Sequence, residues 1–285
     1  MTRLIMGALA RLPLALLHAA GAALGWTIYG LSPTYRRHVR DNLAAAGLRD
    51  SRTRRGAIAG AGKMLVELPM VWLRPRADVL ALVRAVHGLE LVEAARAAGK
   101  GIVFLTPHLG CFEITAQVAA DRFPITVLYR PPKLAWLQPL IEEGRGQDNV
   151  RLASADLAGI RRMLAALHRR EAVGILPDQV PGEGEGEWIE FFGKPAYTMT
   201  FAARLARRAD SVCLLAFGER LERGAGYAVH VRPLPAPEPG ESGMRLLNRA
   251  VESLIRERPE QYLWGYNRYK TPRSAQPRED TGAAQ

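Results

Sequence analysis

Gly101-Ile102-Val103-Phe104-Leu105-Thr106-Pro107-His108-Leu109-Gly110-Cys111-Phe112-Glu113 decides how this 285-residue chain is read. Residues 101–105 form an unbroken apolar run too short for a typical helix, which suits a strand covered on both faces. Pro107 and Gly110 then break the chain, and a helix is expected over 110–120. His108 therefore stands at the mouth of a sheet, and Glu113 falls in the first turn of the next helix, from where it is expected to reach back to the imidazole. A carboxylate on one ring nitrogen fixes the tautomer and leaves the other nitrogen free to act as base. Such a pair suits removing a proton from a hydroxyl while an acyl group is transferred to it.

The same grammar continues outward. Helix 89–98 precedes strand 102–105. Strand 125–128, helix 134–143, strand 150–153, helix 156–169 and strand 172–176 follow, with Asp156 placed to cap its helix. Short apolar strands alternating with helices predict an α/β fold with a largely parallel central sheet flanked by helices. The second half is less regular: strands 188–192 and 212–217 with helix 198–208 between them, an outer strand 227–232 and a helix 242–257. Residues 181–186 are rich in Gly and Pro and read as a loop. Helices 33–48 and 52–73 come first, the second kinked or ended by Pro69. One α/β domain is expected over 33–270, with a flexible tail over 271–285.

The apolar fraction (48%) and charged fraction (24%) are those of a globular protein. A net charge of +11, carried mostly by arginine, implies an anionic partner, a phospholipid surface among the candidates. Residues 12–31 contain no Lys, Arg, Asp or Glu, and twenty helical residues span about 30 Å, roughly one hydrocarbon core. Residues 1–32 are accordingly expected to form an N-terminal membrane helix, with Trp26 and Tyr29 near the interface. A secretory signal peptide and a buried core helix are the rival readings. Arg36, Arg37, Arg40, Arg49, Arg52, Arg54 and Arg55 follow the apolar run. This bias favours a cytoplasmic face for the bulk of the chain.

Other chemistry-bearing residues fall at strand ends. Arg130 follows strand 125–128, Arg145 follows helix 134–143, and Asp178 and Gln179 follow strand 172–176. Open α/β sheets bind ligands at this edge, and arginine suits bidentate phosphate recognition. Cys111, three residues from His108, offers a thiolate nucleophile as an alternative, although a small buried residue is the plainer reading. His18 and the other histidines have no partner visible in the sequence. No metal-ligand spacing, Walker A loop or dinucleotide fingerprint occurs, so no cofactor is expected. No interleaved basic and aromatic motif points to nucleic acid.

Together these residues resemble the lysophospholipid and lipid A biosynthesis acyltransferases, in particular those that add secondary acyl chains. The resemblance runs in order through Asn42, Pro107-His108-Leu109-Gly110 with Glu113, Tyr129-Arg130-Pro131, Gly144-Arg145 and Pro177-Asp178-Gln179. It continues in Phe191-Phe192-Gly193 with Thr198, in Pro259-Glu260-Gln261-Tyr262 and in Arg268-Tyr269. It implies a glycerolipid-acyltransferase-like fold at the inner membrane, its catalytic domain facing the cytoplasm. An acyl carrier protein would donate the chain, and an anionic membrane lipid would accept it. His108 would then be the base, Glu113 its orienting group, and Arg130, Arg145, Asp178 and Gln179 substrate-binding residues. Residues 264–268 depart from the ending typical of the lipid A enzymes. A lysophospholipid or another glycolipid is therefore an alternative acceptor, and a lipid hydrolase or thioesterase an alternative activity.

Overall fold

The structure, a computed structural model, describes residues 2–131, 138–146, 148–208 and 210–272. The start of the expected helix 134–143 and nearly all of the expected tail lie outside the described residues. Four helices open the chain: α1 Thr2–Arg11, α2 Leu14–Leu31, α3 Pro33–Ala45 and α4 Ser51–Leu73. Ser32 caps α3 through the N–H of Tyr35 and Asp50 caps α4 through that of Thr53. Helix α4 runs through Pro69 and does not end there.

The α/β portion comprises α5 Arg76–Leu80, β1 Val83–His87, α6 Leu89–Ala97, β2 Gly101–Leu105, α7 Phe112–Ala120 and β3 Ile125–Tyr129. It continues through α8 Gln138–Arg145, β4 Val150–Ser154, α9 Leu157–His168, β5 Ala172–Ile175, β6 Gly186–Phe191, β7 Lys194–Met199 and α10 Thr200–Ala206. Strands β8 Ser211–Arg220 and β9 Tyr227–Pro233 and helix α11 Gly243–Glu257 complete it. Among the described residues the main sheet has seven strands in the order β1-β9-β8-β2-β5-β3-β4. All neighbouring pairs are parallel except β8–β9. The mostly parallel α/β fold is as expected. Strand β9 is not the outer strand, because β1, which the sequence pattern did not flag, pairs beyond it.

Strand β2 shows why the opening run is apolar throughout. Val103 and Leu105 pack with Met163, Leu167 and Leu254 on one face, and Ile102 and Phe104 pack with Phe123 and Ala216 on the other. A strand covered on both faces has no solvent side to make polar. Strands β6 and β7 form an antiparallel hairpin closed by Phe192 and Gly193, both at positive φ. That is the two-residue turn whose twist matches the flanking strands; β7 runs on through Thr198 and Met199, so the helix expected from 198 starts at Thr200.

Helix α2 does not stand apart from the rest. It lies along α4 at van der Waals closeness. A Cβ at Gly25 would sit 2.1 Å from the Ile58 carbonyl oxygen, and one at Gly62 would sit 2.0 Å from the Gly21 carbonyl oxygen. Small residues at both contacts let the two backbones approach. Helices α2 and α4 are each long and apolar enough to cross a membrane. Leu16, Trp26 and Leu31 of α2 and Leu65 of α4 are exposed.

Candidate active site

Because β5 pairs directly with β2, Leu105 lies opposite Ile175. Three residues beyond each strand end, His108 and Asp178 meet. The His108 backbone N–H donates to Asp178 Oδ2 at 2.9 Å, and the ring Nδ1 lies 2.9 Å from Oδ1. Asp178 is almost fully buried, at 3% exposure. Burial pushes its carboxyl up, but the adjacent imidazole and the two hydrogen bonds outweigh that and hold it below the usual carboxylate value. A carboxylate only accepts, so Nδ1 carries the ring proton and Nε2 presents a lone pair. Gln179 Nε2 approaches that lone pair at 3.0 Å. The Phe112 ring lies 4.9 Å from the imidazole.

The partner of His108 is therefore not the one expected. Glu113 does fall in the first turn of α7, but its carboxylate faces the other way. Arg145, at the end of α8, donates Nε to Glu113 Oε1 at 3.0 Å, and its Nη2 pairs with the same carboxylate. The physical reason is the turn itself. Gly110 adopts φ +61°, and the Gly110 and Cys111 N–H groups are held by Gln261 O and Gly218 O. This fixes the elbow so that α7 leaves with Glu113 toward α8. Those two amides are consequently not available to an oxyanion; Arg145 and Gln179 are among the side-chain donors that line the cleft, with Tyr129 and Arg130.

That cleft holds about 220 Å³ of water-accessible space and is lined by His108, Tyr129, Arg130, Arg145 and Gln179 among others. Arg130 is exposed, its guanidinium 3.7 Å from Glu185. An apolar cavity adjoins the cleft between the sheet and helices α6 and α7, walled by Val92, Phe104, Val118, Phe123 and Gly174. Phe112, Arg145 and Leu176 line both spaces. The Glu113–Arg145 pair thus forms the polar lip of an apolar cavity. Five of the six site residues expected from sequence (His108, Arg130, Arg145, Asp178 and Gln179) line or support one cleft. The sixth, Glu113, lines the adjoining cavity.

Cys111 is buried, and burial raises its thiol well above the ordinary value. Its backbone N–H is bonded to Gly218. A protonated, enclosed thiol does not supply a nucleophile at neutral pH. His18, which the sequence left without a partner, meets buried Glu67 at 2.6 Å. Several residues in the sequence resemblance prove structural. Asn42 donates to the Trp264 and Tyr266 carbonyls at 2.7 and 2.8 Å. Arg268 holds the Tyr197 carbonyl and the Thr198 hydroxyl, both at 2.7 Å. Leu263 N–H donates to the His108 carbonyl at 3.1 Å, a backbone contact that carries no side-chain signal in the sequence. Among the described residues no group of His, Cys, Asp and Glu has the arrangement of a metal site.

Residues 2–271 match the family model described as bacterial lipid A biosynthesis acyltransferase. The chain is similar to the lipid A biosynthesis lauroyltransferase of Escherichia coli strain K12, with 27% identity over 74% of this chain and 69% of that protein. It is similar to the palmitoleoyltransferase of the same strain, with 26% identity over 74% and 69%. It is also similar to a lipid A biosynthesis acyltransferase of Haemophilus influenzae, with 26% identity over 62% of this chain and 56% of that protein. A match from one end of the described chain to the other, around a histidine–carboxylate site at the carboxyl edge of a parallel sheet, places this protein in the bacterial lipid A biosynthesis acyltransferase family.

Proposed function

We propose that this acyltransferase moves a fatty acyl group from an acyl carrier protein thioester to a hydroxyl of a lipid A precursor, with His108 as general base. The observation that carries the reading is the Nδ1–Asp178 contact, which leaves Nε2 facing a cleft continuous with an apolar cavity. The substrate hydroxyl displaces Gln179 from Nε2, which takes the hydroxyl proton as the oxygen attacks the thioester carbonyl. Arg145 and Gln179 stabilise the oxyanion, the C–S bond breaks, and His108 returns the proton to the departing thiolate. The acyl chain occupies the apolar cavity, and Arg130, exposed at the rim of the cleft, meets the phosphate of the acceptor. Glu113 acts through Arg145, fixing the guanidinium at the lip.

The exposed apolar residues of α2 and α4 and the arginines of α3 and α4 support attachment to an anionic inner-membrane surface, with the catalytic domain on the cytoplasmic side. Transfer is tested with purified protein, a labelled acyl carrier protein thioester and a lipid A precursor, the products being resolved by mass spectrometry. His108→Ala should lower turnover about 10²–10⁴-fold. Release of free fatty acid without lipid acylation would replace the reading with hydrolysis.

A further inference from the structure

The His108 turn is held from behind by a buried ionic chain that reaches the N-terminal helix. Arg220, at the end of β8, donates Nη2 to the Gly110 carbonyl at 2.8 Å and Nε to both Glu67 oxygens at 2.9 Å. Glu67, on α4, also accepts from the Tyr227 hydroxyl at 2.9 Å and from His18 Nε2, on α2, at 2.6 Å. The side chains of Arg220, Glu67 and His18 are 4%, 1% and 6% exposed. Burying an ion pair gives little net stability compared with apolar residues of the same size, but its geometry is strict because each unmade bond is costly. Here that strict geometry terminates on the carbonyl of Gly110, two residues from the base. Neither Arg220 nor Glu67 lines the reaction cleft or the apolar cavity.

We propose that Arg220 is a positioning residue for His108, and that helix α2 sets it through His18 and Glu67, so that seating α2 on α4 is coupled to the geometry of the catalytic turn. The proposal rests on the acyl-transfer reading for its kinetic consequence, but not for its structural one. An α2 helix that loses its seat leaves Glu67 with one donor fewer, lets Arg220 shift, and frees the Gly110 carbonyl. A surface that engages α2, such as a lipid bilayer, would then bear on turnover as well as on attachment.

Three variants of the full chain test this. His18→Leu removes the α2 link alone. Gly25→Leu lifts α2 from Ile58 without touching the ionic chain. Arg220→Lys keeps the charge opposite Glu67 but has one head group where the guanidinium grips two partners. Each should lower kcat tenfold or more, with KM for donor and acceptor within twofold of wild type. Hydrogen exchange of the peptide spanning residues 106–113 should accelerate at least tenfold while β8 and β9 keep their protection. Unchanged kcat and exchange in all three would overturn the coupling, and so would a uniform loss of protection across the sheet. If the wild-type protein transfers no acyl group, the exchange measurement still decides the proposal.

Discussion

Asp178→Asn is the most searching substitution in this protein because it alters charge and proton placement with almost no change of shape. The native carboxylate accepts from both the backbone N–H and Nδ1–H of His108, each at 2.9 Å. An asparagine has one acceptor oxygen for those two donors. If its oxygen takes the backbone N–H, its NH₂ faces Nδ1, the ring proton moves to Nε2, and the base is lost. If it rotates to keep Nδ1–H, two donors confront each other at a site 3% exposed, a cost of about 1–3 kcal/mol. The imidazolium formed during transfer also loses a charge-assisted bond of about 1.5–3 kcal/mol. Together these reach about 2.5–6 kcal/mol, a fall in kcat on the order of 10²–10⁴. The assay is single-turnover transfer from a labelled thioester, with circular dichroism to check folding. Glu113→Gln is the comparison, since it disturbs Arg145 and leaves both His108 contacts intact. A folded Asp178→Asn enzyme within tenfold of wild type, with Glu113→Gln inactive, would refute the assignment and return the orienting role to Glu113.

The remaining expectations concern the cavity, the thiol, the elbow and acid stability. Gly174 lies in the cavity wall, and a Cβ there meets nothing nearer than 3.6 Å. Gly174→Leu should therefore fold and shift preference toward shorter acyl donors, read as the product distribution from a mixed donor pool; an unchanged distribution would place the chain elsewhere. Cys111→Ser should keep transfer within a fewfold of wild type, and Cys111 should resist alkylation in the folded protein; loss of transfer in a folded variant would revive a thiol mechanism. Gly110→Ala requires φ +61° and would bring a Cβ within 2.0 Å of the Gly218 carbonyl oxygen. A destabilisation of at least about 1–3 kcal/mol by urea unfolding is expected, with transfer largely lost. The depressed folded-state pKa of Asp178 contributes stability above the unfolded value near 3.8, lost as pH falls through the folded value. Asp178→Asn should flatten the acid limb of the pH–stability curve below about pH 4, and an unaltered limb would assign that proton to another group.

Much of the fold was legible because local chemistry and tertiary role agree. The run 101–105 is apolar because β2 is covered on both faces, and Asp156 caps α9 through the Gly159 N–H at 2.8 Å as its position suggested. His108, Arg145, Asp178 and Gln179 were recognisable one by one, since each follows a strand or helix whose end faces the cleft. Strand β7 was hidden because Phe192 takes a positive φ that a bulky residue rarely adopts. Strand β1 was hidden because a short, half-exposed edge strand has no strong pattern.

Pairing within the site was beyond the sequence. Spacing along the chain favoured Glu113 for His108, because five residues is near and seventy is far. Strand order reverses that distance: β5 inserts beside β2, and the register Leu105–Ile175 brings residue 178 to residue 108. The same holds for His18 and Glu67, 49 residues apart and 2.6 Å from each other. Residue identity and local periodicity determined which groups stand at the sheet edge and which runs are buried. Which carboxylate meets which cation or ring was decided only when parallel strands were ordered into a sheet, because hydrogen bonds act over about 3 Å and backbone connectivity does not report distances of that size between segments far apart in the chain.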